Sequence, residues 1–275
     1  MSMEQKDHPL IMGILNVTED SFSDGGQFRE TTLAVRHALK MIEDGADIID
    51  VGGESTRPGA KRVPAKTQLA RVIPVIKELR KVSDSKITIS IDTTLCGVAE
   101  AALDAGASII NDVSAGRDDE NMFRLAADRG LPIILMHMQG TPETMQDDPK
   151  YVNVVEEVRS FLLERARLAG AAGIAGENII IDPGIGFGKT KQHNLELLSN
   201  LDRFVDSGYS VLLGASRKRF MGSICKLEQY SELTGATCAI TTLGVLAGVK
   251  IFRVHDVLVN RQALDVTLAI KLTKN

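Results

Sequence analysis

Eight polar residues stand at or near the ends of short apolar runs: Asn16, Asp92, Asn111, His137, Asp182, Lys218, Arg253 and His255. Two carboxylates, an amide and a lysine suit a flat, nitrogen-rich heterocycle. Carboxylates accept from ring N–H and amino groups, an amide both donates and accepts, and an ammonium donates to a ring carbonyl. Arg253 and His255, with Thr56 and Arg57, suit a phosphorylated group instead, because guanidinium forks and hydroxyls match phosphate oxygens. The best-marked position is Asp182, in Ile179-Ile180-Ile181-Asp182-Pro183-Gly184-Ile185-Gly186-Phe187-Gly188-Lys189-Thr190. Three β-branched residues deliver a carboxylate to the end of a buried strand, and Pro183 and Gly184 stop regular structure there. The glycines fit neither phosphate motif. A Walker loop needs glycine where Pro183 stands, and the spacing 184, 186, 188 is not that of a dinucleotide fingerprint. What remains is a mobile glycine loop carrying Phe187 and Lys189.

Each position also has a plainer role. Asp92 alone reads as a helix cap or loop acid, Asp182 as a turn acid, and His137 as a structural residue bonded to backbone beneath the rim. Lys189 reads as a solvated loop lysine, and His193 as a cap or cover on the following helix. Asp112 and Asp256 read as groups that orient their neighbours, and Asp24 and Arg57 as either solvated loop charges or closing groups. A Schiff base at Lys218 is chemically open, but Arg217 and Arg219 beside it point to anion binding.

To bring these residues together, the strand ends must share one rim. Apolar runs predict eight strands: Leu10–Asn16, Asp47–Gly53, Thr88–Thr93, Ser108–Asp112, Pro132–Met138, Ile179–Asp182, Ser210–Ala215 and Ile251–Val254. Helical stretches alternate with them. One is capped by Thr31 or Thr32 after a polar loop Val17–Glu30, with Val35, Ala38, Leu39 and Ile42 as its stripe. Another buries Leu69, Val72, Ile73, Ile76 and Leu79, and Pro74 inside it should bend it at a cost of ~3 kcal/mol. Later helices are predicted over Met122–Arg129, Val152–Ala169 and Leu195–Phe204, with Ala236–Val249 a buried one. Eight strand–helix units fit a single-domain α/β fold, a closed (β/α)8 TIM barrel of parallel strands spanning residues 1–275. An open doubly wound sheet is the structural rival. Gly45-Ala46-Asp47-Ile48-Ile49 and Gly106-Ala107-Ser108-Ile109-Ile110 form a short internal echo, each joining a helix end to a strand.

Composition bounds the partners. The formal net charge of −4 gives no support for nucleic acid or an anionic membrane surface, so any anion must be held by local basic residues. Cys96, Cys225 and Cys238 form no CxxC pair and read as free thiols of a reducing cytosol, Cys225 and Cys238 as inert ones. Met1–Pro9 carries no secretory signal, and Ala236–Val249 is too short for a membrane span. With 4% aromatic residues and no tryptophan, the core must be aliphatic.

Several stretches resemble the dihydropteroate synthase family. They are Leu15-Asn16-Val17-Thr18 through Asp20-Ser21-Phe22-Ser23-Asp24-Gly25-Gly26, and Asp50-Val51-Gly52-Gly53-Glu54-Ser55-Thr56-Arg57-Pro58-Gly59. Ile110-Asn111-Asp112, Met136-His137-Met138, Asp182 to Lys189, Ser216-Arg217-Lys218 and Arg253-Val254-His255-Asp256 complete the set. One departure is Glu19, where the family usually has proline.

The resemblance implies a transferase of folate biosynthesis, a target of sulfonamides, acting on pterin diphosphate and p-aminobenzoate in the cytoplasm as a homodimer. Carried over by motif, Asp92, Asn111, Asp182 and Lys218 would hold the pterin, and Thr56, Arg253 and His255 the diphosphate. Asn16 would ligate a shared Mg2+, and Phe187, Pro58 and Lys218 would border p-aminobenzoate. Asn16, Asp24, Arg57, Lys218, Arg253 and His255 are the residues expected to take part in the chemistry. The rival activities are a methyltetrahydrofolate-dependent methyltransferase and a non-catalytic pterin-binding paralogue.

Overall fold

The computed structural model describes residues 8–18, 26–82 and 87–273. Its strands are β1 (Leu10–Asn16), β2 (Ile48–Gly52), β3 (Thr88–Asp92), β4 (Ile109–Asp112), β5 (Ile133–Met136), β6 (Ile179–Asp182), β7 (Ser210–Leu213) and β8 (Ile251–Val254). Each pairs in parallel with the next, and β8 pairs with β1, so the sheet closes as a (β/α)8 barrel in chain order. The open-sheet rival is excluded by that last pairing.

Strand alternation divides the apolar residues into two sets. Met12, Ile48, Ile109, Ile134, Ile180, Leu212 and Ile251 form one cluster, the packed interior of the barrel. Their neighbours one residue along, among them Ile49, Ile110, Ile133, Ile181, Leu213 and Phe252, join the larger cluster between sheet and helices. The same parity carries the inward face up to Asp50, Asp92, Asn111, Asp182 and Arg253. The barrel is therefore aliphatic below and ionic above.

The helices are α1 (Gly26–Glu43), α2 (Ala65–Val82), α3 (Cys96–Asp104), α4 (Met122–Arg129), α5 (Val154–Ala171), α6 (Lys191–Ser199), α7 (Leu201–Val205), α8 (Arg219–Cys225), α9 (Thr234–Ala247) and α10 (Val257–Leu272). Helix α2 holds Pro74 within it, as expected. Three expectations are corrected here. Helix α1 begins before Thr31 and Thr32, so neither caps it. The stretch Leu195–Phe204 is two helices, α6 capped by Thr190 and His193, and α7 after Asn200. Helix α9 is not buried all round: Leu243 and Leu246 are about half exposed, as are Leu258, Val266 and Ile270 on α10. Among the described residues, no helix is long and apolar enough to cross a membrane.

The internal echo has a physical basis at the end of the barrel opposite the ionic layer. Gly45 and Gly106 both have left-handed backbones (φ 98° and 117°) that end a helix before a strand. An arginine clasps each exposed carbonyl: Arg261 donates to Gly45 O at 2.9 and 3.1 Å, and Arg80 to Gly106 O at 2.5 and 2.9 Å. Arg80 Nη1 also donates to Ile87 O at 2.6 Å, fastening α2 to the entry of β3. Shared turn chemistry, with an arginine clasp at each turn, accounts for the echo. Arg80→Ala should lower unfolding free energy by about 1.5–3 kcal/mol, the scale of hydrogen bonds to a charged group. Urea denaturation checks the loss, and kcat should stay near the parent value because the clasp lies away from the barrel mouth.

Candidate active site

The ionic layer is built around Arg253 on β8. Its Nε donates to Asp50 Oδ2 at 2.6 Å and its Nη2 to Asp92 Oδ2 at 2.7 Å. Asn111 Nδ2 donates to the same Asp50 oxygen at 3.0 Å. Asp50 is fully buried and Asp92 is 5% exposed, so an unpaired charge at either place would be costly. Burial alone would lower the Arg253 pKa, yet Asp50 and Asp92 outweigh it and hold the guanidinium above its ordinary value. Burial pushes Asp92 up to about 7, with Arg253 opposing and Asp50 adding to the shift.

Asp182, at the end of β6, faces the same opening. A side chain at Gly214 would meet Asp182 Oδ2 at 3.5 Å and Arg253 Cβ at 3.9 Å, so its absence leaves the two groups a common space. Burial raises Asp182 to about 6, against the pull of the Gly184 N–H, Lys218 and Arg253. The Gly184 N–H donates to Asp182 Oδ1 at 2.7 Å, which leaves Oδ2 for a ligand. Lys218 completes this side. Burial brings its pKa down to about 8, with Arg253 adding to the fall and Asp182 and Asp92 resisting it. Its Nζ lies 4.0 Å from the centroid of Phe187, which packs with Val113, Met136, Met138 and Met145.

Arg217 shows how Lys218 is aimed inward. It adopts a left-handed backbone (φ 55°), uncommon for a residue with a side chain. A two-pronged pair to Asp256, at 2.9 and 2.5 Å, holds it there. Asp256 thus orients a rim neighbour, and the Arg217 guanidinium expected at an anion site is already committed. His255 Nδ1 lies 3.0 Å from Ser216 Oγ, leaving Nε2 for a ligand. Burial, then Arg253, Arg217 and Lys218, push its pKa down to about 3, so the ring is neutral near pH 7.

A cleft at the mouth joins Thr56 to Asp92, together with Glu54, Arg62, Met138 and Pro142. Arg62 latches this second loop to its neighbours: Nη1 donates to Thr94 Oγ1 at 2.8 Å and Nη2 to Asp118. Glu54 accepts from Val63 N at 2.8 Å and Gln68 Nε2 at 3.1 Å, and Gln68 accepts from Thr93 Oγ1 at 2.9 Å. Asn16 ends β1 opposite Gly52. A Cβ on Gly52 would sit 3.7 Å from Asn16 Oδ1 and 3.6 Å from Asp92 Oδ2, so glycine leaves both oxygens open to one space.

The expected residues thus fall into three groups. Asp92, Asn111, Asp182, Lys218, Phe187 and Arg253 converge, with Asn16, Thr56 and His255 around them. Arg57 and Pro58 are exposed, their loop tied to the β5 loop by Gly59 N donating to Pro142 O at 3.0 Å. Asp24 and Glu19 lie outside the described residues.

Sequence reasoning missed Asp50 and Arg62, and it misread Lys189. Strand parity would have found Asp50, an acid between Ile48 and Gly52 on the inward face. Lys189 is not solvated: it is 3% exposed. Nor is its loop mobile, since side chains pin its carbonyls. Gln146 donates to Gly186 O and Tyr151 to Gly188 O, both at 2.8 Å, and Lys189 to Gly184 O and Phe187 O, both at 2.9 Å. Asp112 is spent on its own turn, accepting from Ser114 N and Oγ and from Gly116 N at 2.6–2.8 Å.

A closed parallel barrel with this acid–amide–lysine pocket is a pterin-binding scaffold, and residues 12–255 match the family described as pterin binding enzyme. A dihydropteroate synthase from Streptococcus pyogenes is 49% identical over 257 residues, 93% of this chain and 93% of that protein. The Xanthomonas albilineans dihydropteroate synthase solved with 4-aminobenzoic acid superposes with a TM-score of 0.89 at 44% identity, covering 96% of this chain and 94% of that one. The same enzyme in complex with 7,8-dihydropteroate gives 0.86 at 40% identity, covering 96% and 94%. The chain belongs to the pterin binding enzymes and, within them, to the dihydropteroate synthases, which are transferases.

If Asp92, Asp182 and Lys218 hold the pterin, as the resemblance implies, their pKa values set the pH dependence of its capture. Ionised carboxylates accept from pterin N–H groups, so affinity should rise as pH passes through about 6–7, where Asp182 and Asp92 lose their protons. It should fall above about 8 as the Lys218 donor loses charge. Calorimetry with a pterin lacking the diphosphate avoids titration of the substrate's phosphates. A flat profile from pH 5 to 9, or an alkaline limb surviving in Lys218→Met, would contradict this assignment.

Proposed function

We propose that this chain joins p-aminobenzoate to the methylene carbon of 6-hydroxymethyl-7,8-dihydropterin diphosphate, giving 7,8-dihydropteroate and pyrophosphate. The reaction is a step of folate biosynthesis. The observation that carries this reading is the meeting of Asp92, Asn111, Asp182 and Lys218 around Arg253 in one opening. Asp182 and Asp92 take the pterin N–H and amino groups, Asn111 pairs beside them, and Lys218 donates to the ring carbonyl. Phe187, Pro58 and the Lys218 stem border p-aminobenzoate. Thr56, His255 Nε2 and the Arg253 Nη1 arm, which its two ion pairs leave over, face the diphosphate.

Breaking the C–O bond sends charge onto pyrophosphate and leaves a cation that the reduced pterin delocalises. Arg253 stabilises the departing anion. The aromatic amine is already neutral at pH 7 and needs no strong base, so no Ser–His–Asp arrangement is required. Substitution is dissociative, and the first two loops, with Asp24 and Arg57, close to keep water from the cation. The Arg62 latch supports a closed second loop. Asn16, whose Oδ1 faces the open space beside Gly52, would hold a magnesium ion, since such an ion asks for few protein oxygens. When bound, it supplies neutralisation of charge on the leaving group.

We place this chemistry in the cytoplasm, on one pterin-binding domain spanning residues 1–275. The working form is a homodimer: the exposed leucines, valine and isoleucine of α9 and α10 offer an apolar face that a second copy would cover.

Mixing the two substrates with the protein should release pyrophosphate only when Mg2+ is supplied. Methyl transfer from methyltetrahydrofolate without pyrophosphate would favour the methyltransferase instead, and binding with no single turnover would favour the non-catalytic paralogue. Asp182→Asn should weaken pterin binding by ~1.5–3 kcal/mol, the worth of a charge-assisted bond. Unchanged pterin affinity by calorimetry would remove Asp182 from this role.

A further inference from the structure

Lys189 is 3% exposed, and among the described residues no carboxylate bonds to it. Its Nζ lies 3.0 Å from His137 Nδ1 and 2.9 Å from both Gly184 O and Phe187 O, with His137 O further off at 3.3 Å. Burial lowers the Lys189 pKa well below the ordinary lysine value, and its amine is met by three backbone carbonyls and the His137 ring nitrogen. The His137 ring is held in turn by the edge of Phe161, with centroids 4.9 Å apart. Burial, Lys189 and Arg117 push its pKa down to about 2, so the ring is neutral and its Nδ1 is free to accept.

These bonds act on one side chain. Phe187 N donates to Gly184 O at 3.1 Å, and Lys189 takes both that same carbonyl and Phe187 O. Both peptide groups flanking the Phe187 Cα are therefore fixed, and with them the direction of its ring. The loop also lies too close to the end of β5 for substitution: a Cβ at Gly184 would meet His137 O at 1.9 Å, and one at Gly188 would meet Gln139 O at 2.6 Å. Lys189 is the staple across that seam.

We propose that Lys189 and His137 are a positioning pair that sets the Phe187 ring against Lys218 and thereby the affinity for the aromatic amine. This rests on the reading of Phe187 and Lys218 as the p-aminobenzoate wall. Neither residue of the pair touches substrate.

Lys189→Met keeps the stem and removes the donors. It should raise KM for p-aminobenzoate by about tenfold, the scale of a misplaced wall, with a much smaller change in KM for pterin diphosphate. A purely structural role would lower thermal stability and move both constants together. In a cycle with Phe187→Leu, the effect of Lys189→Met should vanish, because residues that act through one another are not additive. Additive effects, or an unchanged p-aminobenzoate KM in folded Lys189→Met, would overturn the proposal. If Lys189→Met does not fold, His137→Leu removes the Nδ1 contact, along with the ring contacts to Phe161 and Tyr151, and enters the same cycle with the same two outcomes. The Phe187 ring resonances, assigned through Phe187→Leu, report on the pair without turnover. A parent enzyme that releases no pyrophosphate while these resonances shift in the variant would sink the catalytic reading and leave the positioning pair standing. Unshifted resonances would sink the pair.

Discussion

Arg253 sits between Asp50 and Asp92, and the upper half of the barrel depends on that arrangement. Asp92 is buried beside Asp50, where lost hydration and like charge both oppose its ionisation. One guanidinium satisfies both carboxylates through separate nitrogens, and its planar fork suits the task better than a point-charge ammonium would. The two pairs span 203 and 161 residues of chain. They join the last strand to the second and third, so the floor of the site is assembled only when the barrel closes. Shape and charge are therefore established by the same event.

Backbone placed at close quarters does the rest of the positioning. The β6 loop is rich in glycine because it is pressed against the β5 loop, and its positive-φ residues leave no room for side chains. Lysine, glutamine and tyrosine then bond its carbonyls one after another. A similar economy appears at Arg217, where an unfavourable backbone conformation is held by Asp256 and turns Lys218 inward. Rigid placement of this kind is what a site needs if binding is to put the reacting atoms in near-attack geometry.

The barrel was legible because eight apolar runs alternate with helical stretches, and strand parity then predicts which residues line the interior. Of the eight chemistry-bearing residues at strand ends, Asp92, Asn111, Asp182, Lys218 and Arg253 share one opening, with Asn16 and His255 around them. Asp50 was overlooked because it lies mid-strand, where an acid has no obvious purpose until its partner on β8 is known. Lys189 was misread for a related reason. Its burial depends on Tyr151, His137 and the β5 loop, all remote in sequence, while local glycine content suggested mobility. Helix α9 misled in the other direction, since its hydrophobicity gave no sign that one face is exposed.

The charged groups near the mouth also differ in how firmly they hold charge. Arg253 is kept charged by its acids, whereas Lys218 is brought down to about 8 and Asp182 and Asp92 up to about 6 and 7. All three titratable groups are moved toward neutrality by burial. For Asp182 the linkage has a definite sign: the folded protein holds a proton that the unfolded chain has lost, so its contribution to stability is full below the ordinary carboxyl pKa. It is lost as pH rises toward 6. A ligand that donates N–H groups reverses the bias, because hydrogen bonds to the ionised form favour it. At pH 7 Asp182 and Lys218 are largely charged and Asp92 stands near its midpoint, so burial leaves the protonation of the site responsive to whatever donors or acceptors enter it.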